Sequence, residues 1–172
     1  MNPDLDLRLQ ALLKALSEVV LPAIPTEQSL ARDQARLVIG HLTVIAAHWK
    51  HALNYELESL RLACVLATTL AALEPAHGLG DDLHAALAQA AAVERSDYDA
   101  VSAVHRNLKA SIDRVIAAAN TCAPMSPALK TAVLEFSAQQ ARRERIWHRD
   151  AGLDPDADKL PPLASLFAPA AR

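Results

Sequence analysis

The stretch "LACVLATTLAAL", Leu62 to Leu73, holds twelve residues without a charge, a glycine or a proline, and its reading decides the fold class. Ala and Leu are strong helix formers, and no alternation of apolar and polar residues marks a half-buried strand. Crossing a bilayer takes about 20 apolar residues, so this run is too short to span one. A helix apolar on all sides belongs at the centre of a bundle, surrounded by neighbours.

The rest of the chain agrees. Hydrophobic residues make up 52% of it but aromatics only 3%, and only four glycines occur among 172 residues. A core built from Leu, Ala, Val and Ile packs helix against helix, and runs of alternating β-branched residues are absent. The expected fold is all-α: a single-domain bundle of about five to six helices over 1–152, then an irregular Pro-rich tail over 153–172. The length suits one domain with a sizeable core.

Upstream, Leu5, Leu9, Leu12, Leu16 and Val19 recur at helical spacing, predicting a helix from Asp4 to Val20 that Pro22 and Pro25 stop. Thr26 is placed to cap the next helix, with Glu27 in its first turn. An unbroken helix from Glu27 to Leu73 would run 47 residues, against a mean of about 12. Asn54 is the predicted break. Downstream, Asp81 or Asp82 opens a short helix ending near Val93, and Ser96 with Asp99 resembles a capping box for a helix ending near Asn120. Its seam is Val101, His105, Leu108, Ile112, Val115 and Ala119. Ser126 and Pro127 give a cap and a first-turn proline to the last helix, for which Gly152 is the natural stop.

A net charge of -3, from 17 basic and 20 acidic residues, supplies no field to collect nucleic acid or acidic lipid. Neither is expected as a partner. "MNPDLDLRLQ" lacks the pattern of a secretory signal. Cys64 and Cys122, the latter placed in a loop, have no metal or disulfide spacing. A cytoplasmic location is expected, and abundant Ala and Arg suggest GC-rich bacterial coding.

The most chemical-looking segment is "HLTVIAAHWKH", His41 to His51. On a helical wheel with Val38 at zero, Leu42, Ile45 and Trp49 fall within roughly 40°, which predicts that this side faces the core. Arg32, Arg36, Thr43, Lys50 and Asn54 take the opposite, solvent side. His41 and His48 lie inside the arc, about 10 Å apart along the axis, too far to share an ion. His48 and His51 could converge on a metal, with Glu58 as a further donor. The Glu-x-x-His pairs of di-iron bundles are missing, and "EPAH", Glu74 to His77, is interrupted by Pro75. The expectation is no cofactor and no metal, with His41 and His105 as neutral interior histidines bonded to polar neighbours.

No nucleophile elbow, phosphate loop, dinucleotide fingerprint or kinase signature occurs. Arg142, Arg143, Arg145 and Arg149 are interrupted by acids and read as a solvated helix face. Association is therefore the leading expectation: a non-catalytic homodimer, or a complex with an unidentified protein, whose interface uses Ile146, Trp147, Leu160, Leu163, Leu166 and Phe167. The alternative is a bundle binding a small molecule or metal, with or without enzymatic activity, in a core pocket near His41, His48, Trp49 and His105.

Overall fold

The structure is a computed structural model describing residues 4–73, 80–122, 125–151 and 154–167. Its elements are α1 (Leu5–Ala15), a π-helical turn (Leu16–Val20), α2 (Leu21–Ala23), α3 (Ser29–His48), a 3-10 turn (Trp49–His51), α4 (Ala52–Leu73), α5 (Gly80–Ala92), α6 (Tyr98–Cys122) and α7 (Pro127–Trp147). Short 3-10 turns follow at Arg149–Ala151, Ala157–Lys159 and Leu163–Leu166. The fold is all-α as expected, with no strand among the described residues. None of these helices is long and apolar enough to cross a membrane.

Several boundaries correct the sequence reading. The first helical segment continues through Pro22 to Ala23. Proline at 22 has no N–H to offer and its ring crowds the carbonyl four residues back, and the chain widens into the π turn just before it. Thr26 does not cap α3, which starts at Ser29; its hydroxyl binds Glu27 instead. The break after α3 is the 3-10 turn at Trp49–His51, and Asn54 lies inside α4. Asp97, not Ser96, caps α6 by accepting the Ala100 amide, while Ser96 is bound to Glu94. Cys122 ends α6 instead of sitting in a loop. Ser126 caps α7 as expected, accepting the Leu129 amide. Pro75, the Glu74 to His77 motif and Gly152 lie outside the described residues.

Contacts gather into two compact units: Met1–Lys50 with Glu144–Arg172, and the contiguous segment His51–Arg143. The second unit holds the main core. There α4, α5 and α6 pack on one another, and Ala63, Leu66, Ala67 and Leu70 of α4 are buried with Leu83, Ala86 and Ala90 of α5. The α6 seam lies as its spacing predicted, with Val101, Leu108, Ile112, Val115 and Ala119 all buried. Leu129 of α7 completes the cluster, flanked by the half-buried Val133 and Phe136.

The first unit is built on α1 packed against α3. Asp6, near the start of α1, accepts from the Trp49 indole at 2.9 Å and is ion-paired to Lys50. At the other end, the Arg32 guanidinium donates to the Ile24 carbonyl at 2.7 Å and to that of Leu21. The Leu21 carbonyl also accepts the Ile24 amide, whereas the Ile24 carbonyl lies past the end of α2 and is satisfied by the arginine. The helices therefore run antiparallel, tied at both ends.

Candidate functional site

In the first unit only Leu9, His48 and Ile146 are buried among the described residues. Ten of the fourteen exposed large hydrophobic side chains of the described residues belong to this unit. They are ordered. Leu5, Leu12 and Val19 follow one another every seven residues, as do Leu30 and Leu37, and Val38 and Ile45. Seven residues turn an α-helix by nearly two full turns, so Leu5 and Leu12 share one face of α1, and Leu30 with Leu37 and Val38 with Ile45 each share a face of α3, while Val19 lies beyond α1 in the π turn. Leu30 is 73% exposed, Val19 65% and Leu37 50%.

These exposures overturn the wheel drawn from sequence. The side carrying Val38 and Ile45 was expected to face the core, yet both are open to solvent. The half-buried side of α3 carries Ala35, Ile39, Leu42 and Ala46, together with Arg32, which had been assigned to solvent. Arg32 turns inward to donate to the Ile24 and Leu21 carbonyls at the end of α2. His41 is exposed, so it is not an interior histidine.

His48 is buried, and its ring stacks on the Trp147 indole with centroids 4.5 Å apart at a tilt of 37°. Trp147 in turn meets the Phe167 ring edge-on at 6.5 Å. The sequence assigned His48 to a pocket and Trp147 and Phe167 to an interface; the fold joins all three in one aromatic row within the first unit. The tail is held to the same unit by polar bonds as well. Arg145 binds Asp154 at 2.7 Å, which keeps the Asp154 carboxyl below its usual range, and Arg149 donates to the Ala157 carbonyl. Leu160, Leu163, Leu166 and Phe167 are half-buried, and Ile146 is buried in its own chain.

His105 lies in the second unit and is mostly buried, with its Nδ1 2.8 Å from the Glu56 carboxylate. That hydrogen bond, more than any other influence, lowers the Glu56 carboxyl below its ordinary range, with burial opposing it. His105 thus has a polar neighbour in the interior, as expected, and that neighbour is an acid. Arg143, read from sequence as part of a solvated face, is buried. It donates to the Tyr55 carbonyl and the Ser59 hydroxyl, and its guanidinium lies 4.8 Å from the Tyr55 ring centre. An arginine carries five N–H donors, and here two oxygens meet one terminal nitrogen and a ring lies against the guanidinium, while the buried Nε has no acceptor among the described residues.

Of the weak metal candidates, Glu58 is held by Arg61 through two bonds of 2.8 and 2.7 Å, and His51 is half-buried in the second unit. Among the described residues no three His, Cys, Asp or Glu side chains gather as a metal site requires. Trp49, the remaining pocket candidate, is 38% exposed and engaged with Asp6. What the sequence reading missed is the open face of α1 and α3, although its seven-residue spacing was there to be seen. No protein-family model, curated protein or solved structure matches this chain.

Proposed function

We propose that the protein works by association, as a homodimer in which the open apolar faces of α1 and α3 meet those of a second copy. The observation that carries this is the shortage of buried side chains in the first unit beside its ordered, exposed stripes. Monomers rarely leave contiguous apolar patches larger than a few hundred Å² in water. Stripes repeating every seven residues are the pattern by which one helix meets another of its kind.

A second copy suits these stripes better than a charged partner. The flanking charges are neutralised within the chain, Lys14 with Glu18 and Arg36 with Asp33, so the face asks for apolar surface and not for an opposite field. A two-fold dimer places the same patch on itself. Of the tail residues first assigned to the interface, Phe167 meets Trp147 within its own chain. A cytoplasmic setting accords with Cys64 being a free thiol.

Light scattering over a range of concentrations tests this. The expected result is twice the chain mass, reverting to one chain in the double variant Leu12→Asp with Leu37→Asp, with helix content unchanged. Removing residues 154–172 should leave the dimer intact. A single chain at every concentration overturns the proposal, as does a dimer that survives both aspartates.

A further inference from the structure

A second surface, independent of that association, lies wholly within the second unit. Between α4 and α5 runs a cleft of about 310 Å³, walled by Leu57, Leu60, Cys64, Leu87 and Ala90 with Ala91 beside them, and carrying Arg61 and Arg95. Its volume is at the lower end of the range for small-molecule sites, about 300–1,000 Å³. Apolar walls with a few polar groups are the usual composition of such sites.

The charges at this cleft do not cancel. Arg61 is bound to Glu58 and is neutralised by it. Arg95 has no carboxylate within ion-pair distance among the described residues, and its neighbour Glu94 is turned to Ser96. One positive charge is therefore left over beside an apolar trough. The Arg95 charge also reaches the Cys64 thiol inside the cleft, partly countering the burial that raises its pKa.

We propose that this cleft binds a medium-chain aliphatic carboxylate, with its hydrocarbon tail against Leu57, Leu60 and Leu87 and its carboxylate on Arg95. The tail leaves water for a wall that is already apolar. The head meets a planar guanidinium that suits two carboxylate oxygens, and Glu58 does not repel it because Arg61 holds that acid. Arg95 is exposed, so its substitution leaves the core untouched.

The test uses the full chain carrying Cys122→Ser, so that Cys64 is the sole thiol. Decanoate below its micellar concentration is titrated by calorimetry, and the rate of Cys64 labelling by a maleimide is followed in parallel. One decanoate per chain is expected, with slower labelling as the cleft fills. Decanol and decylamine should bind about fivefold to tenfold more weakly, because the charge-assisted hydrogen bonds are lost. Arg95→Ala should bring decanoate down to the level of decanol, and Arg95→Lys should restore part of the difference. Ala91→Trp, at an exposed wall position, should block both ligands.

Absence of saturable decanoate binding overturns the proposal. So does binding that leaves Cys64 labelling unchanged, since the ligand then sits elsewhere, or equal affinity for decanoate and decanol. Should Ala91→Trp fail to fold, the exposed Arg95 variants still decide the outcome.

Discussion

The two units of this chain solve the same problem with unequal means. In the segment His51–Arg143, α4, α5 and α6 bury a continuous aliphatic cluster, and Leu70, Leu83, Leu108 and Leu129 are lost to solvent entirely. In the other unit two helices tied by Asp6 and Arg32 bury Leu9, while His48 and Ile146 are covered near the aromatic row. A helix pair has too few faces to enclose its own apolar residues, whereas three mutually packed helices form an interior. Burial, and not helix propensity, therefore separates the two, since long helices form the frame of both.

The largest effect that distinguishes them is a core deletion. Leu70→Ala should cost about 2–5 kcal/mol in urea unfolding, the range for a fully buried leucine left as a cavity. A loss below about 1 kcal/mol would mean that the second unit is less tightly packed than its burial indicates.

Next comes the interior hydrogen bond between Glu56 and His105. Glu56→Gln should cost about 1–3 kcal/mol at neutral pH, as expected for a mostly buried hydrogen bond to a charged group. The Glu56 carboxyl is depressed chiefly by its bond to His105, so the unfolded chain takes up this proton at higher pH than the folded one. Its contribution is fully present above the unfolded value, about 4.3, and is lost as pH falls through the lower folded value. The variant should therefore show a shallower acid limb of stability against pH, and unchanged limbs would remove Glu56 from that account.

Helix caps give a finer comparison. Asp4 accepts the Asp6 and Leu7 amides at the start of α1, and Asp97 accepts the Ala100 amide at the start of α6. Each cap is worth about 1 kcal/mol. Asp97→Ala should lower the main unfolding transition by that amount. Asp4→Ala should instead speed hydrogen exchange in the first turn of α1 and leave the main transition in place, because α1 shares no buried cluster with α6. Equal shifts in both variants would merge the two units into one cooperative block.

The smallest expected effect is Leu37→Ala. At concentrations low enough to give single chains, it should change stability by less than about 0.5 kcal/mol, as befits a half-exposed side chain. The same change should weaken self-association, so its effect should grow with protein concentration. A constant, large loss would show that Leu37 is packed within its own chain.

The sequence disclosed these regions unequally, for a physical reason. The α6 seam was legible because its apolar side is narrow and its other side is charged, leaving one orientation. Leu62–Leu73 was legible because a helix apolar all round has no alternative to burial. On α3 the apolar arc was equally visible, but a wheel supplies angles and not neighbours. It could not distinguish an apolar face turned to the interior from one left open. His48, Trp147 and Phe167 were each noticed, yet local periodicity carries no information about rings that meet across most of the chain. Arg32 and Arg143 looked like surface cations because their partners, backbone carbonyls for the most part, leave no mark in a sequence.

The second unit is one uninterrupted stretch, while the first is assembled from the two ends of the chain. Synthesis proceeds from the N-terminus, and domains fold as units while the chain emerges. Residues 51–143 thus need neither Trp147 nor Phe167 to complete their core. Until Trp147 is made, His48 has no indole to stack on, so a helix pair made before the second unit is completed by residues made after it.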